Sequence, residues 1–194
     1  MNIVNVGYDS ANYYVIEQNE VRMLIDVGWP GTLQKLLANL KRKSLSLGDL
    51  SCLLVTHYHP DHAGLVQELK DLGLKHLLLE EQIPAIAQLK NYMKPTSGYV
   101  EILAQGSILI KIVESRAWLN KIGVKGEIVH TPGHSFDSVS LVVDEGAAFT
   151  GDLLPTSLAT EEQAEIIQAS WNRLKSLDVH TIYPGHGPVR PIMV

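Results

Sequence analysis

A short segment of the chain, LLVTHYHPDHAG at residues 53–64, holds three histidines and an aspartate within six positions. His57, His59, Asp61 and His62 form the pattern H-x-H-x-D-H. The alternative interpretation is a surface turn whose histidines are merely polar. Imidazoles packed this closely repel one another when protonated, and a turn without a metal gains nothing that offsets this repulsion. A divalent metal removes it, because the metal binds neutral imidazole and carboxylate. The pattern therefore predicts a metal site.

The elements around this motif place its side chains at one edge of a sheet. The apolar run SCLLVT, residues 51–56, predicts a buried strand, and AGLVQELKDLG, residues 63–73, predicts a helix. The first two histidines are two positions apart, so an extended backbone lets both point the same way. The aspartate and the third histidine fall in the first turn of the helix. All four side chains should converge at the carboxyl end of a strand, where α/β sheets place their sites.

Three further residues of ligand type follow predicted strands later in the chain. His134 stands in HTPGHS, Asp152 in FTGD and His186 in YPGHG, each close to a glycine. Glycine permits backbone angles that aim a neighbouring side chain into a pocket. Taken singly, each of these residues is equally well explained as part of a turn. Together with the motif they occupy four strand ends, and this favours one shared pocket.

The order of strands followed by alternating helices and strands occurs twice along the chain. It predicts one α/β domain over residues 1–194 with two similar halves, about 1–105 and 106–194, whose sheets face each other. Segment 81–105 interrupts this rhythm and is the predicted lid. The other predicted strands lie in IVNVG, NYYVIEQ, VRMLIDVG, HLLLE, SILIKIVE, KGEIVHT, SVSLVVD, GAAFTGD and HTIYPGHG.

Two amphipathic segments predict the remaining helices that matter for the fold. TLQKLLANLKR places leucines on one face after Thr32, a candidate N-cap. In TEEQAEIIQASWNRLKSL, Thr160 and Gln163 predict a capping box. The predicted buried face of that second helix contains Ala164, Ile167, Trp171 and Leu174.

Composition excludes several function classes. The net charge of −5 and a pI of about 5.9 give a mildly acidic surface, which argues against a nucleic-acid partner. No run approaches the roughly 18 apolar residues of a membrane span, and MNIVNVGYDS lacks the features of a signal peptide. Cys52 is the single cysteine, so no internal disulfide can form. We therefore expect a cytoplasmic protein without a membrane partner.

Taken in order, the motifs resemble the metallo-β-lactamase superfamily. The resemblance runs from NYYVIEQNEVRMLIDVG through THYHPDH, TPGHS and TGD to GHG, nearly the whole chain. It implies a four-layer αββα sandwich of two facing mixed β-sheets with helices outside, and a site at one edge of both sheets. It also implies two metal ions, held by His57, His59 and His134 and by Asp61, His62 and His186, with Asp152 bridging them.

Details of the motifs narrow the branch that the chain resembles. His59 stands where the flavin-dependent diiron branch carries glutamate, which disfavours that redox chemistry. His62 and Asp152 together resemble the glyoxalase II and lactonase branches, whereas true β-lactamases usually carry a different second site and are exported. The sequence ends eight residues after His186. We therefore expect no room for the helical extension with which glyoxalase II contacts glutathione.

The resemblance implies a metal-dependent hydrolase in which a metal-bridged hydroxide attacks a small ester-type substrate, such as a thioester or a lactone. Asp61 is the expected catalytic residue, because its free oxygen would orient the hydroxide. Two divalent ions are expected, with zinc favoured over iron or manganese. The alternatives are a mononuclear iron sulfur (persulfide) dioxygenase and a β-lactam hydrolase. The expected partner is a small-molecule substrate, in an open cleft or in a pocket completed by a second subunit of a homodimer.

Metal-binding histidines need a hydrogen-bond partner for their second ring nitrogen. Asp26 is the preferred candidate because it ends a strand aimed at the same edge, and His130 is a weaker one beside His134. His76 and His180 are predicted to be structural. Six aromatic residues near predicted loops are candidates for lining a substrate pocket: Tyr8, Trp29, Tyr58, Tyr92, Tyr99 and Trp118.

Overall fold

The computed structural model describes residues 1–192, and its strands form two mixed β-sheets. In the first sheet, strands β1 to β3 pair antiparallel and strands β3 to β6 pair parallel, in the order in which they occur along the chain. Their bounds are β1 Asn2–Asn5, β2 Tyr14–Gln18, β3 Val21–Ile25, β4 Cys52–Leu54, β5 His76–Leu79 and β6 Ile108–Ile110.

The second sheet has the strand order β11-β10-β9-β8-β7. Only β9 and β10 pair parallel, and the other neighbours pair antiparallel. Their bounds are β7 Gly126–His130, β8 Val139–Val143, β9 Ala147–Gly151, β10 Thr181–Pro184 and β11 Arg190–Pro191. The α-helices are α1 Leu33–Arg42, α2 Pro60–Ala63, α3 Val66–Asp71, α4 Ile83–Leu89, α5 Ser115–Ile122 and α6 Glu161–Lys175.

Three hydrophobic clusters show that these elements form four layers. One cluster joins helices α1 to α4 to the outer face of the first sheet, one lies between the sheets, and one joins α6 to the outer face of the second sheet. Strand β4 shows why the sequence has this pattern. Cys52 and Leu54 face the other sheet while Leu53 faces the helices, so all three are buried. The αββα sandwich is confirmed.

The structure corrects several expectations about individual elements. Helix α5 was not predicted, because SRAWLNKI follows a run that continues the strand pattern. That predicted strand ends at Ile110, and Ile112–Glu114 forms a 3-10 turn that leads into the helix. The first sheet also includes β6, so it extends beyond the predicted division near residue 105. The helix predicted at 63–73 is divided into α2 and α3.

Two expectations about α6 are also wrong. Thr160 is the N-cap residue, but its hydroxyl donates to the Gln163 side-chain oxygen and accepts no hydrogen bond from a backbone amide. The reciprocal capping box is therefore not formed. Ala164 is exposed, whereas Ile167, Trp171 and Leu174 are buried as expected.

Within residues 1–192, no helix is long and apolar enough to cross a membrane.

Candidate metal centre

The predicted ligands meet where the carboxyl ends of several strands lie at one edge of the sandwich. Strands β3 and β4 run parallel in the first sheet, and β7, β9 and β10 share one direction in the second. The two sheets are joined at this edge, because the Val139 amide donates to the Thr56 carbonyl at 2.9 Å. A residue that follows any of these strands therefore faces the same space.

The H-x-H-x-D-H segment makes the sharp turn that the sequence predicts. His59 is extended, with φ −97° and ψ 158°, and Pro60 begins α2. The amides of His62 and Ala63 donate to the His59 carbonyl at 3.1 and 2.9 Å. The chain thus changes from strand to helix within the motif. Asp61 lies in the first turn of α2, as expected.

Asp26 holds the buried side of this segment through three hydrogen bonds. Its carboxylate accepts from the Thr56 amide and hydroxyl, each at 2.7 Å, and lies 2.9 Å from His62 Nδ1. Because the Thr56 hydroxyl donates to Asp26, it is free to accept from His57 Nδ1, which is 3.2 Å away. Both imidazoles then carry their proton on Nδ1, so Nε2 is the atom that can bind a metal. Asp26 therefore occupies the position expected of it.

A tight turn between β7 and β8 carries His134. Helix α6 fixes this turn, since Ser170 Oγ donates to the Pro132 carbonyl at 2.7 Å and Gln163 Nε2 donates to the Gly133 carbonyl at 3.2 Å. Gly133 has φ +144°, and a Cβ at that position would lie 2.5 Å from Ile167. Only glycine fits there, which is the physical reason for its place beside the histidine.

Asp152 and His186 follow the parallel strands β9 and β10. Gly185, immediately before His186, packs so closely that an added Cβ would lie 2.5 Å from Asp152 Oδ1. His186 Nδ1 donates to the Ser10 carbonyl at 2.7 Å, so its Nε2 is free to bind a metal. A backbone carbonyl in the loop between β1 and β2 of the first sheet therefore orients a candidate ligand that follows a strand of the second sheet.

Potential ligand atoms of the seven predicted residues form three overlapping groups. Within each group the atoms lie within 4.8 Å of one another. His59 Nδ1 and His134 Nε2 are 2.9 Å apart, and His186 Nε2 lies 3.2 Å from Asp61 Oδ2 and 3.5 Å from Asp152 Oδ2. The three groups are His57, His59 and His134; Asp61, His62 and His186; and His57, His62 and Asp152.

The chemistry of the buried atoms fits a pair of metal ions. His57 Nε2, His62 Nε2 and Asp152 Oδ1 are buried without a hydrogen-bond partner. Asp152 Oδ1 is 3.3 Å from His62 Nε2, without the geometry of a hydrogen bond, and Oδ2 is 3.9 Å from His57 Nε2. Buried polar atoms in folded proteins are nearly always satisfied. Orphaned polar atoms that face one another between two further groups of ligand type are suited to cations.

The electrostatics of the cluster also suit a metal. Burial and the neighbouring histidines, His62 foremost, hold the pKa of His57 well below its usual range. Burial also lowers the pKa of His134. Burial opposes the charged forms of His62 and Asp152, but attraction dominates: Asp26 and Asp152 raise the pKa of His62 to about 10, and His62 lowers the pKa of Asp152. Without metal, the protonated His62 supplies positive charge that metal ions would replace.

The other histidines do not join the cluster. His130 Nε2 donates to the Phe136 carbonyl at 2.7 Å, so this residue does not orient His134 as was considered. His76 is structural as expected: it is buried between the Tyr58 hydroxyl and the Ser107 hydroxyl, each 2.9 Å away. His180 is exposed and contacts the Thr181 hydroxyl.

Of the aromatic residues considered as pocket walls, Tyr92 lies beside the cluster. Its ring centroid is 5.4 Å from that of His59, and the residue is 58% exposed. It belongs to the predicted lid segment, at the end of a 3-10 turn after α4. Tyr58 is buried in the core instead, and Trp118 packs in the cluster between the sheets.

No sequence pattern predicted the residues that hold the final turn. Asn12 Nδ2 donates to the carbonyls of Pro184 and Gly187, and the Tyr14 hydroxyl also donates to Pro184. These contacts join residues more than 165 positions apart. A polar residue beside a strand is common in any sequence, so no local signal would have identified Asn12.

The sandwich, with a histidine- and aspartate-rich cluster at one edge of its two sheets, defines the structural class. The family model described as "Metallo-beta-lactamase superfamily" matches residues 6–186, and the chain belongs to this superfamily. The fold is shared with solved members. The superposition on the protein called TTHA1623, solved in a di-iron-bound form, covers 99% of this chain and 95% of that protein. The sequence identity is 27% and the TM-score is 0.74. A second superposition covers 98% of the chain and 93% of the BLEG-1 B3 metallo-β-lactamase, with 25% identity and a TM-score of 0.73.

Curated relatives give the same family with different overall lengths. The chain is 27% identical over 209 residues to the probable metallo-hydrolase MJ0888 of Methanocaldococcus jannaschii, covering 94% of the chain and 90% of that protein. It is 30% identical over 188 residues to an atrochrysone carboxyl ACP thioesterase of Aspergillus fumigatus, covering 92% of the chain but 51% of that protein. A β-lactamase-like protein 2 homologue of Caenorhabditis elegans is 26% identical, and the alignment covers 92% of this chain and 56% of that protein. The chain thus spans about half the length of several relatives.

Proposed function

We propose that this protein is a metal-dependent hydrolase that binds two divalent ions and acts on a small ester-type substrate. The observation that carries the proposal is the set of three buried atoms without partners, His57 Nε2, His62 Nε2 and Asp152 Oδ1, at the centre of the cluster. A structural cluster would satisfy these atoms internally. Seven ligand-type side chains converging at one sheet edge exceed what one ion requires.

The three groups of ligand atoms suggest how two ions would be shared. We assign one ion to His57, His59 and His134 and the other to Asp61, His62 and His186. Asp152 would bridge them, because its Oδ2 lies 3.6 Å from His134 Nε2 and 3.5 Å from His186 Nε2, on opposite sides of the cluster. These nitrogen and oxygen donors suit zinc, and they also accept iron or manganese.

Two bound ions would supply a hydroxide nucleophile at neutral pH and a Lewis acid for the substrate carbonyl. The chain's own residues have separate tasks. Asp61 is the only predicted ligand with a carboxylate on α2, and its free oxygen is the candidate to accept a hydrogen bond from the nucleophile. Asp26 and Thr56 hold the histidine rings in the orientation that leaves Nε2 available. Tyr92 offers an apolar surface beside His59 for the acyl part of a substrate.

Thioesters are the first substrate class to test. A similar protein from Aspergillus fumigatus is named an acyl-carrier-protein thioesterase. The glyoxalase II and lactonase branches, which the motifs resemble, also hydrolyse activated acyl bonds. A β-lactam substrate is the second class, because a similar solved structure is titled as a B3 metallo-β-lactamase. A mononuclear iron dioxygenase would need only two histidines and one aspartate, and the group of His57, His62 and Asp152 has that composition.

The test is hydrolysis of a panel of thioesters, lactones, β-lactams and phosphodiesters by protein reconstituted separately with zinc, iron and manganese. Protein stripped by a chelator is the control, and oxygen consumption with a persulfide substrate tests the dioxygenase. We expect hydrolysis of at least one acyl substrate that disappears on chelation and returns with metal. Full activity in the stripped protein, or oxygen consumption without hydrolysis, would contradict the proposal.

A further inference from the structure

A second cleft adjoins the metal centre, and Arg190 lines both. The smaller cleft, of about 190 Å³, has His134, Asp152, His186 and Arg190 in its wall. The larger, of about 400 Å³, is lined by Thr156, Ser157, Trp171, Lys175 and Arg190, among others. Pro155 is also common to both walls. We call the larger one the Arg190 cleft. A molecule that reaches from the cluster along this surface must pass the Arg190 side chain.

The charge of the Arg190 cleft is opposite to that of the whole chain. Lys175 and Arg190 line it, no carboxylate among residues 1–192 does, and the net charge of the protein is −5. In the part of the chain that the structure describes, neither cation forms an ion pair, whereas Arg22, Arg116 and Arg173 each contact a carboxylate. Two cations left without an internal partner in one concave site attract an anion.

The framework of the cleft is well fixed. Arg190 is in β11, where it pairs with Ile182 of β10, the strand that leads to His186. The Ile192 amide donates to the His180 carbonyl at 3.0 Å and closes this hairpin. On the opposite side, Trp171 Nε1 donates to the Leu154 carbonyl at 2.8 Å. The position of the Arg190 backbone relative to the cluster is therefore set by the sheet.

The side chains of the cleft match the hydrogen-bonding pattern of an oxyanion. Arginine presents a planar fork of donors that binds phosphate or carboxylate through two parallel hydrogen bonds. Thr156 and Ser157 add hydroxyl groups, and Lys175 adds a second positive charge. A phosphate or a carboxylate bound here would lie away from the ligand atoms themselves. It would therefore serve recognition and not the reaction.

We propose that the Arg190 cleft binds an anionic group, a phosphate or a carboxylate, on the leaving portion of the substrate. This inference rests on the proposed hydrolase function, since it places the acyl bond of the same molecule at the metal centre. Tyr92 lies beside His59, and the Arg190 cleft meets the smaller cleft, which His134 and His186 line, at Pro155 and Arg190. The substrate would then extend across the cluster, with its acyl part toward Tyr92 and its anionic part toward Arg190.

Matched thioesters test this specificity by kinetics. Butyryl-4′-phosphopantetheine is compared with butyryl-pantetheine, and S-butyryl-N-acetylcysteine with S-butyryl-N-acetylcysteamine, so that each pair differs by one phosphate or one carboxylate. We expect wild-type protein to prefer the anionic member of at least one pair in kcat/KM. The Arg190→Ala variant should reduce that preference about 10- to 100-fold, as expected for a lost charged hydrogen bond. Arg190→Lys should reduce it less, and Lys121→Ala, which removes a distant exposed cation, should not change it.

A binding measurement separates this inference from the proposed reaction. The S-hexyl thioethers of 4′-phosphopantetheine, pantetheine, N-acetylcysteine and N-acetylcysteamine cannot be hydrolysed, and their dissociation constants are measured by calorimetry. Binding should favour the same anionic member and weaken about 10- to 100-fold in Arg190→Ala. Tighter binding of the phosphopantetheine thioether than of the pantetheine thioether identifies a phosphate as the bound group. Tighter binding of the N-acetylcysteine thioether than of the N-acetylcysteamine thioether identifies a carboxylate.

The outcomes are distinct. If the thioesters are hydrolysed without an anion preference, or if Arg190→Ala leaves the preference intact, the inference is wrong and the proposed function stands. If no substrate is hydrolysed but the thioethers bind through Arg190, the proposed hydrolase fails while the anion site remains.

Discussion

Two histidines in the wall of the cluster built by the first sheet are buried more deeply than the two histidines in the wall built by the second. His57 and His62 have 1% and 0% of their side chains exposed, whereas His134 and His186 have 25% and 38%. Asp26, which supports the first wall, is also buried. The second wall is supported by backbone carbonyls and by side chains of α6 and the first sheet.

This difference separates two requirements of a metal site. In the buried wall, a single carboxylate and Thr56 contact Nδ1 of His62 and of His57, so that Nε2 of each ring faces the cluster. The second wall stands on turns open to solvent, and we expect a substrate to approach from that side. A change in the buried wall should therefore affect metal affinity, and a change around the open wall should affect substrate recognition.

The largest expected effect is that of Asp152→Ala, which removes a carboxylate of the second wall that faces His57 and His62 of the first. Metal content should fall, and kcat/KM for hydrolysis should decrease by about 10³-fold or more, because an interaction of several kcal/mol is lost. Elemental analysis and initial rates on a hydrolysed thioester measure the two effects. Asp144→Ala is the control, since this exposed carboxylate lies at the opposite edge of the same sheet, where it pairs with Arg116. Unchanged metal and activity in Asp152→Ala would reject the bridging assignment.

A smaller effect is expected from Asp26→Asn, which keeps the shape of the side chain but removes its charge. The Thr56 amide can still donate to the new side chain, whereas His62 loses its anionic partner. Metal affinity should fall about 10- to 100-fold, the range observed for partners of metal-binding histidines. Competition with a chelator of known affinity measures it. Affinity equal to that of the wild type would show that the buried wall needs the shape of Asp26 and not its charge.

Gly185→Ala tests how tightly the two walls pack against each other. The new Cβ would lie 2.5 Å from Asp152 Oδ1 and 2.6 Å from His62 Cε1, which we expect to cost about 1–3 kcal/mol of stability and to weaken metal binding. Gly187→Ala is the matched control, because no atom lies within 4 Å of its Cβ position. Its φ of +80° should cost about 1–2 kcal/mol and leave metal binding intact. Chemical denaturation with and without metal distinguishes the two variants.

The last expected effect concerns His76, which lies in the first-sheet half but outside the cluster. Burial lowers its pKa to about 3, so the folded protein holds fewer protons on this residue than the unfolded chain between pH 3 and about 6.5. Stability should therefore rise with pH across that window, by up to about 1.4 kcal/mol per pH unit from this residue, and stay level above it. In metal-free protein His76→Gln should have a shallower acid dependence, whereas His180→Gln should match the wild type. Equal slopes for all three would contradict a neutral buried His76.

The sequence was sufficient for the parts of this molecule that depend on local pattern. Runs such as SCLLVT predicted buried strands because both faces of the sheet are covered. The candidate ligands, which the structure brings together, could be selected because they lie near the ends of such strands. Asp26 was also found, since it ends a strand directed at the same edge. Fold and ligand cluster were therefore predictable together.

Other features depend on contacts that no local pattern records. Helix α5 was missed because the apolar run before it resembles the start of a longer strand, and the 3-10 turn at Ile112–Glu114 replaces the end of that strand. The support of the last turn by Asn12 depends on a separation of more than 170 residues. No sequence pattern identified Arg190, because its proposed role depends on the two clefts whose walls it shares.

The most direct test of the account is the metal stoichiometry of the purified wild-type protein, measured by elemental analysis after equilibration with zinc and removal of unbound metal. The two-ion assignment predicts about two zinc ions per chain, and about one or fewer in Asp152→Ala. One ion per chain in the wild type, unchanged in that variant, would contradict a site in which Asp152 joins the two walls.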